Sequence, residues 1–266
     1  MNRTRLAHLL LGLLTLGMTV AFRQDVPARL HLFLLIGQSN MAGRGIPEAE
    51  DQQPHPRIWM LTKEQTWVPA RAPLHFDKPA VVGVGPGLPF ARAIADKYPT
   101  LNIGLIPAAV GGSGINAWQP GAFYEPTQSY PYDDAIRRTQ KALERGQLAG
   151  ILWHQGESDS NPANTGAYGT RLADLIARLR IDLNAPDVPI VVGTLGDFIV
   201  NRNPSAGLIN ETLRQLPRQV ANTYCVEASG LTHKGDTTHF DTPSARTLGR
   251  RYAEVFIQKK RIKPTR

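Results

Sequence analysis

A serine between two amides, a histidine with an aspartate three residues before it, and a glycine-rich stretch are the parts of this chain that could perform acyl transfer. Ser39 lies in "FLLIGQSNMAGRG" (33–45), where an apolar run ends at Gly37 and is followed directly by Gln38, Ser39 and Asn40. A serine hydroxyl is a weak nucleophile until a base takes its proton, so Ser39 needs a histidine. The candidates are His31, His55, His75, His154, His233 and His239. His239 stands out because Asp236 precedes it by three residues in "GDTTHF", a spacing at which one turn of loop sets a carboxylate on the imidazole Nδ1. The aspartate would fix the tautomer and leave Nε2 for Ser39. Asp241 reads instead as an acid at the N-terminus of the following helix.

Acyl transfer also needs donors aimed where negative charge develops on the tetrahedral intermediate. "VGGSG" (110–114) can bring a backbone N–H close with little steric obstruction, and Gly112 is the candidate. "HQG" (154–156) offers the side-chain amide of Gln155, and the Ser39 N–H makes a third donor. In "GESDS", Glu157 and Asp159 read as acceptors for loop backbone near Ser39, with Glu157 in a supporting part. Asn40, beside the nucleophile, is a supporting or substrate residue. Trp118, next to Gln119, is either a platform for a sugar ring or a core aromatic. His154 with Glu157, and His233, Asp236, His239 and Asp241, could be taken for metal ligands. That reading lacks the H-E-x-x-H order and leaves the serine without a task, so no metal or other cofactor is expected. "GVGPG" (83–87) lacks both the G-x-G-x-x-G register and a Walker lysine.

Elements must bring these scattered residues together. Apolar runs of strand length recur at 30–36, 101–106, 149–153, 188–194 and 222–226, and segments of helical spacing lie at 87–98, 132–146, 166–182, 206–220 and 243–259. The alternation predicts βαβ units: a three-layer α/β/α sandwich with a central, mostly parallel, five-stranded sheet. Ligands of such sheets bind outside the carboxyl ends of the strands, where the serine, glycine and glutamine blocks stand. The Pro-rich stretch 44–80 reads as a long surface insertion. Met41 stands where the G-x-S-x-G elbow of α/β-hydrolases has glycine, and the serine follows the first strand.

With 266 residues, 42% of them hydrophobic, the chain can bury a sizeable core, and neither a repeat nor an interdomain linker divides it. Residues 1–21 read as a signal peptide, with Arg3 and Arg5 ahead of an apolar run and small residues near Ala21; an uncleaved membrane anchor is the alternative. Residues 22–266 then form a single exported domain, periplasmic or secreted. The formal charge of +8 falls to +6 without the two arginines of that segment. The basic tail "QKKRIKPTR" has no interleaved aromatics, so nucleic acid is not an expected partner. Cys225, the only cysteine, excludes an intrachain disulfide and reads as a small buried apolar residue.

Taken in order, these blocks resemble the SGNH (GDSL-like) hydrolase superfamily. Within it they resemble the carbohydrate O-acetylesterases that include carbohydrate esterase family six and sialate O-acetylesterase domains. "GQSNM" is similar to that group's nucleophile block, "GVGPGLPFA" to its following helix entry, "GGSGINAW" to its glycine block, "WHQGESD" to its third block and "DTTHF" to its Asp-x-x-His block. The similarity spans roughly residues 30–256 and implies a flavodoxin-like sheet. It implies Ser39, Asp236 and His239 as the triad, and Ser39, Gly112 and Gln155 as the oxyanion hole. Gln155 stands where the wider superfamily has asparagine, which weighs against lipase or thioesterase activity. The implied partner is an acetylated polysaccharide or oligosaccharide, with xylan the first expectation and sialic acid the alternative. A metal-dependent hydrolase or a non-catalytic glycan-binding module would instead keep its function without Ser39.

Overall fold

The computed structural model describes residues 25–259; the predicted signal peptide lies outside them. Strand β1 (Leu30–Gly37) is flanked by α1 (Ser39–Ala42) and α2 (Ala49–Gln52), then β2 (Ile58–Leu61) and β3 (Trp67–Pro69). There follow α3 (Gly87–Lys97), β4 (Ile103–Pro107), α4 (Pro131–Leu143), β5 (Gly146–His154) and α5 (Pro162–Asp182). The chain continues through β6 (Ile190–Gly193), α6 (Asp197–Val200), α7 (Pro204–Gln219), β7 (Thr223–Val226) and α8 (Thr242–Lys259).

All five expected strands form, and the five expected helices form within a few residues of their predicted bounds. Helices α5 and α7 begin earlier than their apolar spacing indicates because each opens on Asn-Pro. Asn161 accepts the N–H groups of Ala163 and Asn164, and Asn203 that of Ser205, while the proline fits the first turn, where its missing N–H has no consequence.

The sheet has seven strands, not five, in the order β3-β2-β4-β1-β5-β6-β7. The two extra strands come from the stretch read as an insertion. β2 pairs parallel with β4, and β3 closes the edge antiparallel to β2. They escape the sequence pattern because each is only three or four residues long between proline-rich flanks. The central β4-β1-β5-β6-β7 core has the expected flavodoxin-like order.

Strand β1 is buried on both faces, and its side chains alternate between two cores. Leu30, Leu32, Leu34 and Ile36 join a cluster with Ala135 of α4, Leu172 of α5 and Leu213 of α7. Phe33 and Leu35 join Phe90 of α3 with Leu248 and Phe256 of α8. Phe33 stands edge-on to both Phe90 and Phe256, at 4.9 and 5.3 Å between ring centroids. The carboxyl end of β1, at the switch point beside β5, is therefore held from two sides, and a site built there inherits that rigidity. Among the described residues no helix is long and apolar enough to cross a membrane.

Candidate active site

Gly37 ends β1 with φ +126°, and a Cβ there would lie 2.1 Å from the His154 carbonyl oxygen. Only glycine lets the chain turn this close to β5. The turn places Ser39 at the start of α1, buried but for 6% of its surface. Its hydroxyl donates to His239 Nε2 at 3.0 Å, and the imidazole Nδ1–H donates to Asp236 Oδ2 at 2.7 Å. Thus the structure brings together three residues that span 200 positions of sequence.

The base loop is organised around Asp236. Its Oδ1 accepts the N–H groups of His239 at 2.8 Å and Thr238 at 3.0 Å, and Lys234 Nζ lies 3.8 Å from Oδ2. Partial burial pushes the Asp236 carboxyl up, but the hydrogen bonds from His239 and Thr238 outweigh it and hold the group at about 2. Asp236 is therefore ionised at neutral pH. The other members of the cluster have structural employment. His233 Nδ1 accepts the N–H groups of Gly235 and Thr237, and Asp241 accepts the Ser244 N–H at the start of α8. Among the described residues no three His, Cys, Asp or Glu side chains are placed to hold a metal ion.

Asn40 ties the nucleophile to that loop. Its Nδ2 donates to the Thr238 carbonyl at 3.0 Å and to Glu157 Oε1 at 2.6 Å, and its Oδ1 accepts the Phe240 N–H at 3.1 Å. One buried amide thereby grips the chain on both sides of His239. Glu157 bonds this side chain as well as the loop backbone N–H groups of Gly156 and Glu157, the backbone partners expected of it. Burial raises its pKa, against the lowering effect of the Asn40 bond.

On the opposite side the glycine block, 108–114, runs past the end of β4. The N–H of Ala108 donates to Leu35 O, Val110 to Gly37 O, and Ser113 to Val110 O. Ala109 donates to His75 Nδ1 at 3.2 Å and Gly111 to Asp77 Oδ2 at 2.8 Å. In this run the N–H groups of Gly112 and Gly114 donate to no group among the described residues, and neither do those of Ser39 and Asn40 at the start of α1. The Gly112 carbonyl accepts the Ser158 hydroxyl at 2.9 Å.

Two expectations need correction here. Gln155 is fully buried, and its amide nitrogen faces Asp159 Oδ2 at 2.6 Å and Gln38 Oε1 and Ser113 O at 3.2 Å each. Two amide protons facing three acceptors leave none for a substrate oxyanion. Trp118 is also fully buried: its ring stands edge-on to Trp153 at 5.3 Å and donates to Ser113 Oγ at 3.0 Å. It is a core aromatic beneath the glycine block and has no face to offer a sugar. Asp159 accepts the Ile115 N–H, the loop-backbone role expected of it.

The residues that sequence reasoning missed are His75, Asp77 and Arg44, from the irregular stretch, and Ser158. Nothing in their local sequence marks them, because each acts on a segment at least 33 residues away. His75 is held neutral by burial, which lowers it to about 3, and the same cause lowers His154 to about 3. His154 is the last residue of β5, and its Nδ1 meets the Tyr252 hydroxyl of α8 at 3.1 Å. Cys225 is largely buried, and burial pushes its thiol up to about 12, away from nucleophilic use.

Residues 29–258 match the family model described as carbohydrate esterase, sialic acid-specific acetylesterase. A probable carbohydrate esterase of Arabidopsis thaliana, At4g34215, is 33% identical over 251 residues, covering 85% of this chain and 90% of its own. Its crystal structure superposes with a TM-score of 0.78, covering 88% of this chain and 99% of that one. A probable 9-O-acetyl-N-acetylneuraminic acid deacetylase of Escherichia coli K12 is 25% identical over 202 residues, 59% of this chain and 62% of its own. The crystal structure of NanS shares the fold, with a TM-score of 0.73 at 20% identity over 88% of this chain and 98% of that one.

Proposed function

The chain belongs to the sialic acid-specific acetylesterase family of carbohydrate esterases, and we propose that within it this protein cleaves O-acetyl groups through a serine-bound acetyl intermediate. The observation that carries the mechanism is the unbroken relay Ser39 Oγ–H to His239 Nε2 and His239 Nδ1–H to Asp236, at 3.0 and 2.7 Å. His239 takes the Ser39 proton as the hydroxyl attacks the acetyl carbonyl. Ionised Asp236 holds the tautomer and stabilises the imidazolium. The developing oxyanion is received by the N–H groups of Ser39 and Gly112, both free of protein acceptors among the described residues. His239 then returns the proton to the departing sugar oxygen, and water, deprotonated by the same imidazole, releases acetate.

The substrate is an acetylated carbohydrate. Resemblance to carbohydrate esterase family six supports acetylated xylan. O-acetylated sialic acid is the second reading, supported by the family description and by the printed name of the E. coli relative.

The experiment is acetate release from 4-nitrophenyl acetate, acetylated xylan and a 9-O-acetylated sialoside. Wild type is compared with Ser39→Ala, and intact-protein mass spectra are taken in the first turnover. Loss of at least about 10⁴-fold in Ser39→Ala, with a one-acetyl mass increase on wild type alone, is the expected result. Activity surviving in Ser39→Ala would overturn the mechanism, and the relative rates on the two glycans decide between the sugars.

A further inference from the structure

Inside a parallel sheet, a strand's successive N–H groups point alternately to its two neighbours. The glycine block continues β4 in that alternation: Ala108 and Val110 still bond to β1 carbonyls, so Ala109 and Gly111 face the side that β2 occupies lower in the sheet. But β2 pairs only as far as Met60 with Leu105 and ends at Leu61. Arg138 fills the divergence, donating to Leu61 O, Thr62 O and Pro107 O. Beyond it the Ala109 and Gly111 N–H groups would have no strand to meet. Two side chains take the strand's place: His75 Nδ1 accepts Ala109 N–H and Asp77 Oδ2 accepts Gly111 N–H.

Resting on the serine-esterase reading above, we propose that segment 44–80 acts as a clamp on the oxyanion side of the site. In it His75, Asp77 and Arg44 are positioning residues that fix the glycine turn so that Gly112 presents its N–H to substrate. The clamp is stiff for physical reasons. Arg44, just past the nucleophile turn, donates to Asp77 Oδ2 at 2.8 Å and to Gly43 O at 2.7 Å, and the ion-paired side chains are only 3% and 1% exposed. A Cβ at Gly111 would lie 2.3 Å from Arg44 Nη2 and 2.7 Å from Asp77 Oδ2, so the turn is seated directly on the ion pair. Buried neutral His75 keeps Nδ1 free to accept. Through Arg44 the same pair joins the Ser39 turn to the Gly112 turn, the two sources of oxyanion donors.

The test uses the purified enzyme and four variants. Arg44→Met/Asp77→Leu exchanges the buried pair for apolar side chains of similar bulk, a change that folds commonly tolerate. His75→Leu removes the acceptor for Ala109, His75→Asn restores an oxygen near the position of Nδ1, and Ser39→Ala controls for the esterase reading. Outright removal of one oxyanion donor costs on the order of 10²–10³ in kcat, so misplacing one should cost less. The double variant is expected to lose about 10- to 100-fold and His75→Leu about tenfold, both in kcat, with KM for 4-nitrophenyl acetate within about twofold. His75→Asn should recover to within about threefold of wild type. The inhibition constant of phenylboronic acid, whose serine adduct carries the tetrahedral oxyanion, should rise by the same factor as kcat falls. A folded double variant with wild-type kcat, or loss of kcat without weaker boronate binding, would overturn the clamp. If the double variant does not fold, equal kcat in His75→Leu and wild type does so. Activity persisting in Ser39→Ala sinks the esterase reading instead, which separates the two failures.

Discussion

The two sides of Ser39 are built on different plans. The base side is short-range and near the surface: Asp236 and His239 are three residues apart, and their side chains are 35% and 23% exposed. The oxyanion side is long-range and rests on a buried base, with the glycine block held by His75, Asp77 and Ser158, none nearer than 34 residues in sequence. A relay that takes up and releases protons and water works at the rim. A pair of N–H groups that must already point at a charge before it forms needs a frame that does not relax.

The difference predicts that base-side changes act on rate and leave the fold intact. Asp236→Asn should lower kcat by on the order of 10³–10⁴ through the wrong imidazole tautomer. The melting temperature should move little, because the asparagine oxygen can still accept the Thr238 and His239 N–H groups. Steady-state kinetics with a thermal melt checks this, and a variant retaining a tenth of wild-type activity would break the comparison on its base side.

Acid should act on the buried imidazoles first. Burial lowers His75 and His154 from 6.5 to about 3, so between those values an unfolded chain binds two protons that the folded one refuses. Stability is then complete above pH 6.5 and falls as pH drops towards 3, by about 1.4 kcal/mol per pH unit for each histidine. Urea unfolding between pH 7 and 5 measures the slope. His75→Asn should reduce it, since one of the two groups then no longer titrates. A flat profile would mean that these imidazoles are not held neutral.

The same contrast governs what could be read from the sequence. The βαβ alternation and the Asp236–His239 pair were legible because strand runs, helix spacing and an i,i+3 pair are local signals, whereas the flavodoxin-like order and the partnership with Ser39 came through the resemblance of whole blocks. Strands β2 and β3 were not, being too short for a period to register among prolines. Gln155 shows the limit most clearly. Its place after β5 was correctly foreseen, yet the direction of its amide depends on Asp159, Gln38 and Ser113, which converge only in the fold. Gln155→Leu sharpens this point: it should lower stability by about 1–3 kcal/mol by leaving Asp159 short of a buried donor, together with any loss of kcat. Loss of rate with an unchanged melting temperature would restore Gln155 as a direct oxyanion donor.

The smallest effect belongs to the base loop's own strain. Thr237, between the triad aspartate and histidine, sits at φ +57°, where a β-branched side chain crowds its backbone and asparagine does not. Its hydroxyl accepts from Arg202, a role that an asparagine oxygen can also fill. Thr237→Asn should therefore raise stability by about 0.5–1 kcal/mol, part of the usual left-handed penalty, while kcat stays within about twofold. Should the melt move up while kcat falls well beyond that, the strain itself would be holding His239 towards Ser39, and the base side would share the pre-set character that the comparison assigns to the oxyanion side alone.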